Sequence, residues 1–306
     1  MNLTQILEAT VSPDQNELQQ AQTYLEQAAQ ENLPQFLVDL ANELADGGNS
    51  QVARMAAGLQ LKNALTSKDQ TVRMQHQQRW LALDEQVKRH VKQMVIQTLG
   101  TEAARPAIAP QCIAAIACTE IPKGQWLEVI DILHRMVWAV ASKEQALQSI
   151  GYICEDIDPN HITGRSRKIQ AAIVLGGMIN RNINIKLTAF SAFSRSLKVL
   201  ERHFNVKTER DIMMEIVCQA TQSDEIQVRV IALQNLVKIM NCYYQHMEHY
   251  MDNVLPVLQR WANLHKAKCA LFPRPANDVE EAAPDGSGSS SKKIQDPKRT
   301  QAAPAS

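Results

Sequence analysis

The stretch Asn49-Ser-Gln-Val-Ala-Arg-Met-Ala-Ala-Gly-Leu-Gln-Leu-Lys-Asn-Ala-Leu-Thr-Ser-Lys-Asp69 reads as one amphipathic helix that opens on a basic residue. Its Arg54-x-x-Ala57 is echoed by Lys143-x-x-Ala146, Lys186-x-x-Ala189 and Arg229-x-x-Ala232. The last three basic residues stand 43 positions apart and the first gap is 89, close to two further periods. A period in the low forties with helical hydrophobic spacing inside each unit predicts stacked helix pairs of the HEAT or armadillo kind. In that arrangement each basic residue opens the second helix of a pair. It is expected to reach a carboxylate or carbonyl of the neighbouring repeat, with Asn49 and Asp224 five positions upstream of two of them.

Outward from this helix the same alternation holds. Ser12-Pro13-Asp14 is a helix-start signal, followed by Leu18, Ala21, Leu25 and Ala28 on one face. Leu33-Pro34 restarts the chain, Phe36, Leu37, Leu40 and Leu44 form a stripe, and Gly47-Gly48 stops it. Residues 1–66 thus hold four helices. Further helices are predicted over 71–82, 85–99, 112–119, 126–140, 142–156, 166–178, 184–203, 208–221, 225–245 and 247–268. In the one from Asp224, the residues Leu233, Leu236, Met240, Tyr243 and Met247 share a face. No period-two strand appears, so the fold class is all-α: a solenoid over 1–272. Pro273, Pro275, Pro284 and the Gly-Ser run that follows mark 273–306 as a tail unable to bury a core, and Lys292-Lys293 and Lys298-Arg299 within it read as solvated charge.

Composition narrows the function. Hydrophobic residues are 45% of the chain but aromatics only 5%, which favours many short-range helix contacts over sheets. Basic and acidic residues balance at 32 each, so no net basic field exists to draw nucleic acid, and none is expected as a partner. The opening segment lacks the basic and apolar regions of a secretory signal, and the apolar run Ala171–Ile179 is too short to cross a bilayer. A soluble intracellular protein without membrane partners is therefore expected. Cys112, Cys118, Cys154, Cys218, Cys242 and Cys269 form no CxxC pair and sit mostly among apolar helix residues, as reduced buried thiols do.

Catalytic signatures are missing. His246 and His249 are three apart but lack further zinc ligands, and packed or solvated histidines are the reading. No phosphate-binding glycine loop or Gly-x-Ser-x-Gly is present; Gly176-Gly177 reads as a close-packing or stop feature. Cys154 beside Glu155 and Asp156 lacks a histidine partner. Neither an enzyme nor a cofactor is expected.

Several long stretches carry a resemblance. They include Thr10-Val-Ser-Pro-Asp14, Glu31-Asn-Leu-Pro34, Gly48-Asn-Ser-Gln-Val-Ala-Arg54, Gln78-Arg-Trp-Leu-Ala82, Gln97-Thr-Leu-Gly-Thr-Glu102, Ile150-Gly-Tyr-Ile-Cys154 and Ala232-Leu-Gln-Asn-Leu-Val-Lys-Ile-Met240. The chain resembles the amino-terminal part of the importin-β family, HEAT-repeat nuclear import receptors, over about 1–258, and 21–101 is similar to the family's Ran-binding amino-terminal segment.

The resemblance implies a right-handed superhelix of six helix pairs plus one helix. It implies Ran-GTP binding on the inner, second-helix surface, with Arg54, Lys62 and Lys68 as contributors. It also implies pockets for phenylalanine-glycine (FG) nucleoporins between neighbouring first helices, one at Gln170, Ala171, Val174, Glu209, Ile212 and Met213 and a second at Tyr250 and Leu258. Family members carry phenylalanine at the position of Ile212, and leucine and threonine at those of Gln170 and Ala171, so the first pocket is altered. The stretch from Trp126 to Ser149 is shorter than the family pattern, implying a distorted fourth repeat. The family's acidic Ran-gripping loop and later repeats have no counterpart after Leu258, so importin-α binding by the usual mode is not expected. The expected location is cytoplasm and nucleus, with the nuclear envelope at the pores. A HEAT-repeat scaffold and an interfering regulator of transport are the alternatives.

Overall fold

The computed structural model describes residues 2–252, 254–260 and 263. Residues up to Leu258 form one compact unit. The expected tail 273–306, Cys269 and the end of the last expected helix lie outside the described residues.

Up to Cys242 there are fourteen α-helices, and among the described residues no strand is found. They are α1 (Leu3–Ala9), α2 (Gln15–Glu31), α3 (Leu33–Ala45), α4 (Gln51–Leu65), α5 (Gln70–Leu81), α6 (Glu85–Thr98) and α7 (Ala109–Glu120) in the first half. The second half has α8 (Val129–Met136), α9 (Lys143–Asp156), α10 (Ser166–Ile173), α11 (Ile183–Ser196), α12 (Glu201–Asn205), α13 (Lys207–Ala220) and α14 (Ile226–Cys242). A 3-10 stretch, Tyr244–Tyr250, leads into a last helix that includes 254–260. Local chemistry sets many of the starts. Asn2, Asp14, Asn32, Ser50, Asp69, Asp84 and Asn182 each accept a backbone N–H of the first turn, satisfying donors that the helix leaves unpaired.

The pairing forms two layers. Helices α1, α4, α7, α9, α11 and α14 pack in succession, and each lies on its own partner, respectively α2, α3, α6, α8, α10 and α13. Each repeat touches mainly its neighbours, as in a solenoid. The repeated alanines follow the period: Ala57, Ala146, Ala189 and Ala232 are all fully buried on their second helices. Glycine takes the tightest places. A Cβ on Gly151 would lie 3.0 Å from the Ala192 backbone, and one on Gly58 only 2.3 Å from the Ile108 side chain.

The basic partners of those alanines serve the fold through carbonyls rather than carboxylates. Arg54, 2% exposed, donates to the Leu44 carbonyl (2.9 Å), the Thr101 carbonyl (3.2 Å) and the Thr101 hydroxyl (2.6 Å). It thereby ties the second repeat to the loop before α7. Arg229 donates to the carbonyls of Ser223 and Asp224 within its own turn, and Lys143 reaches the Gly176 carbonyl at 3.5 Å. Neither Asn49 nor the Asp224 carboxylate takes part in these bonds. The Gly100–Ala109 loop is fixed from the fourth repeat as well. Gln145 accepts the Gly100 N–H (2.6 Å), and the buried Glu102 carboxylate caps α7 by accepting from Ile108 and Ala109 (2.9 and 3.1 Å). This cap explains why α7 begins three residues before the expected Cys112.

Other departures also have local causes. The expected helix 126–140 shrinks to α8, because Trp126 sits at φ 48° after Gly124 at φ 73°, and the Ser142 hydroxyl takes the Met136 carbonyl at the other end. The expected helix 184–203 divides near Leu197, whose carbonyl is claimed by the Tyr243 hydroxyl. The helix 166–178 changes at Val174 into a π-helical turn over Val174–Met178. That turn sets Gly176 against Val137 and Gly177 against Ala189 and Leu147. The expected helix 225–245 ends at Cys242, so Met247 is buried from the 3-10 stretch and not from a continued helical face.

The thiols divide by burial. Burial pushes the Cys154 thiol up to about 12 and holds Cys112 and Cys118 still higher, whereas Cys242 is exposed, contrary to the expectation of buried thiols throughout.

Gly100 has φ 91°, and a Cβ there would lie 2.7 Å from the Ala141 carbonyl oxygen. Gly100→Ala is expected to cost about 2 kcal/mol or more in denaturant unfolding, from left-handed strain and displacement of the Gln145 bond. An unchanged midpoint would show that the loop does not hold these repeats together.

Candidate functional site

Two surfaces collect the residues singled out by the sequence. The first is the expected slot between the first helices α10 and α13, where Arg167 pairs with Glu209 (3.1 Å) and Ser166 meets His203 of α12 (3.0 Å). Of its six residues Val174 and Met213 are buried, Gln170, Ala171 and Glu209 are half-buried, and Ile212 is 51% exposed.

The polar side of the slot is fixed by charge. The Glu209 carboxylate accepts from Arg167 and from His203 Nδ1, while His203 Nε2 meets Ser166. A carboxylate only accepts, so Nδ1 carries hydrogen. The hydrogen bond from His203 holds the Glu209 carboxyl below the ordinary carboxylate range; partial burial opposes this, and Arg167 reinforces it.

The second pair sits one helix further on. Tyr250 is buried, and its hydroxyl donates to Asp211 and accepts from Arg210 Nε at 3.0 Å. Leu258 is half-buried against the core in the last helix. The ring of Tyr250 is thus a fixed wall and not a free surface.

On the second-helix surface the three basic residues part company. Arg54 is consumed by the bonds described above. Lys62 is half-buried in α4 and lines a cavity of about 250 Å³ with Arg73, Gln111, Tyr152 and Asp156, so three successive second helices and α5 contribute to it. Lys68 is exposed just beyond the end of α4. The extra helix α5 is anchored under this surface by Trp80, whose Nε1 donates to the fully buried Glu120 (2.9 Å), which also pairs with Lys92 (2.8 Å). Sequence reading missed Glu120, Glu102 and Gln145; for Glu120 and Gln145 the signal was a polar residue inside a largely apolar helix, and the loop residue Glu102 gave none.

His246 and His249 do not form a metal pair. His246 Nε2 contacts Asn205 at 3.1 Å, and no cluster of three His, Cys, Asp or Glu residues suited to a metal occurs among the described residues.

The known proteins that this chain is similar to fit the same frame. The importin-β N-terminal domain family matches residues 21–101. Importin subunit beta-1 of Schizosaccharomyces pombe is 38% identical over 260 residues, covering 83% of this chain and 30% of the relative. The chain matches the amino-terminal portion of importin-β. The Saccharomyces cerevisiae importin subunit beta-1 is 34% identical over 263 residues with the same coverage. Among solved structures, the Kap95:Nup1 complex aligns with TM-score 0.75 and 33% identity, over 84% of this chain and 31% of that one. Kap95p bound to RanGDP aligns with TM-score 0.77 at 33% identity, over 84% of this chain and 31% of that one. These are importin-β solenoids, and this chain is a right-handed α-solenoid of the same kind. It spans about 30% of the length of the curated relatives it matches.

Glu209 supplies a test of the slot's electrostatics. A carboxyl depressed in the folded state stabilises the fold above the ordinary glutamate value, about 4.3, and that stability is lost as pH falls through the lower folded value. Urea unfolding of Glu209→Gln is expected to show the largest deficit against the parent near neutral pH and a vanishing one in acid. A deficit constant with pH would mean that the carboxylate is not held by His203 and Arg167.

Proposed function

We propose that this protein is an importin-β-like nuclear transport factor that binds Ran-GTP on its second-helix surface and FG-nucleoporins in slots between its first helices. The observation that carries the reading is the continuous row of second helices, with Val174 and Met213 buried and Gln170, Ala171 and Glu209 half-buried in the opposite layer. Its relatives' solved complexes, with Nup1 and with RanGDP, support the same partners. Lys62 and Lys68 are the cations on the Ran-facing surface, while Arg54 maintains the helix that presents them.

Binding by surface complementarity, with no reacting group, matches the transport factors to which the chain is similar. One slot holding one phenylalanine gives weak affinity, and the Tyr250–Leu258 wall offers a second contact for the same FG chain; linked weak contacts give useful avidity. A Phe side chain entering beside Ile212 meets a branched aliphatic wall where family members offer an aromatic one, so the first slot is the weaker for it. We place the protein in cytoplasm and nucleus, passing through pores.

Two substitutions separate the surfaces. Ile212→Asp is expected to weaken binding of an FG-repeat peptide on the order of tenfold and leave Ran unaffected. The double change Lys62→Glu, Lys68→Glu is expected to weaken Ran-GTP on the order of tenfold and leave the FG peptide unaffected. Titration calorimetry with Ran-GTP, Ran-GDP and the peptide reads all three. Failure of the parent chain to bind any of them would overturn the transport reading in favour of a scaffold.

A further inference from the structure

The last second helix, α14, keeps one flank that no other helix of its layer covers. Within the row each inner second helix lies between two others: α4 between α1 and α7, α9 between α7 and α11. Among the described residues α14 packs on α11, on its partner α13 and on the Tyr244–Tyr250 stretch, and on no further second helix.

The solvent side of α14 carries an apolar stripe. Ile226, Val230, Leu233, Val237 and Met240 follow one another at spacings of four, three, four and three, and Tyr244 stands four beyond. That alternation keeps the side chains in a line along which a second helix can run. Ile226, Val230 and Val237 are 65%, 41% and 49% exposed, and Leu233 and Met240 are half-buried. The core side of the helix is a different set: Val228, Ala232, Asn235, Leu236 and Ile239. The stripe is therefore surplus to the packing of α14 within its own chain.

The borders of the stripe say what fits it. Gln227, Gln234 and Asn241, all exposed, run along one border at intervals of seven and bear no charge. The two charged side chains of α14 stay clear of it. Arg229 bonds the carbonyls of Ser223 and Asp224, and Lys238 lies about 100° round the helix from Val237. Neutral borders select neither an acidic nor a basic partner, and they let two identical surfaces meet without like-charge repulsion. The stripe also reads nearly the same in both directions. Val230 and Val237 stand three before and four after Leu233, and Ile226 and Met240 stand seven before and seven after. A two-fold contact needs that property, because residue i must meet j while j meets i.

We propose that two copies of this chain pair through α14, with the helices antiparallel and the two-fold axis at Leu233. Leu233 then meets its own copy, Val230 meets Val237 of the second copy, and Ile226 meets Met240. Opposed helix dipoles favour this direction. Each copy supplies the neighbouring second helix that the other's row lacks. One helix face is a small interface, under the roughly 1,200 Å² of a standard one, so a dissociation constant on the order of 10 µM follows. The contact uses no residue of the α10–α13 slot, nor Lys62 or Lys68, and it stands whether or not those bind Ran and nucleoporins.

Sedimentation velocity of the full chain is expected to show a mass rising from one chain to two between about 1 and 100 µM. Val237→Glu and Val230→Lys should each hold the mass at one chain throughout, by setting a charge against an apolar side chain. Each should keep the parent's melting temperature at low concentration, since both sites face solvent within a single copy. Mixed in equal amounts, the two variants should regain the two-chain mass, because the introduced charges, opposite in sign, face each other only when the helices run antiparallel. A single-chain mass for the parent at every concentration would overturn the proposal. So would a two-chain mass unchanged by Val237→Glu, a mixture that stays at one chain, or variants that melt early and so assign the stripe to the core.

Discussion

Small buried residues set how closely the helices of this solenoid approach one another. Ala57, Ala146, Ala189 and Ala232 are each fully buried, and Gly151 brings α9 almost onto the backbone of α11. Everything else follows from that closeness. It fixes the period of the repeat and sets the row of second helices as one continuous surface. It also leaves the larger side chains, such as Phe190 and Phe193, to fill the space between layers. Dispersion contacts scale with such proximity, and a single added methyl has nowhere to go.

Between the repeats, polar groups decide what packing leaves open. The loop from Gly100 to Ala109 carries no apolar stripe of its own, yet it is held from both sides: by Arg54 of the second repeat and by Gln145 of the fourth. Glu102 then turns inward to cap α7. Each of these groups is buried and hydrogen-bonded, so the network specifies register without leaving its polar atoms unsatisfied. The same economy appears at the far end, where Arg210 bonds both the Phe204 carbonyl and the Tyr250 hydroxyl.

Much of the fold was legible in the sequence because its causes are local and periodic. Asp14, Asn32 and Asp69 announce the helices they cap, and the apolar spacing of Phe36, Leu37, Leu40 and Leu44 states the buried face of α3 without ambiguity. What could not be read depends on distant partners. The break at Leu197 needs the Tyr243 hydroxyl, 46 residues away, and the early start of α7 needs a carboxylate placed by a loop. The candidate slot was legible only through family resemblance. Composition does not reveal that Val174 and Met213 are buried while Ile212 stays exposed. The basic repeat was legible as structure, with a carboxylate or a carbonyl as acceptor; the geometry selects the carbonyls of Leu44, Thr101 and Gly176.

The joints between successive second helices are unequal in hardness. At α9 and α11, glycine meets alanine with backbone nearly touching backbone, and such a joint resists compression at once. At α11 and α14 a groove of about 630 Å³ opens between the two helices. A solenoid flexed along its length concentrates its deformation in the softer joint, as a chain of springs in series does. Width of that groove and curvature of the superhelix are therefore one coordinate, and whatever widens or fills the first also sets the second.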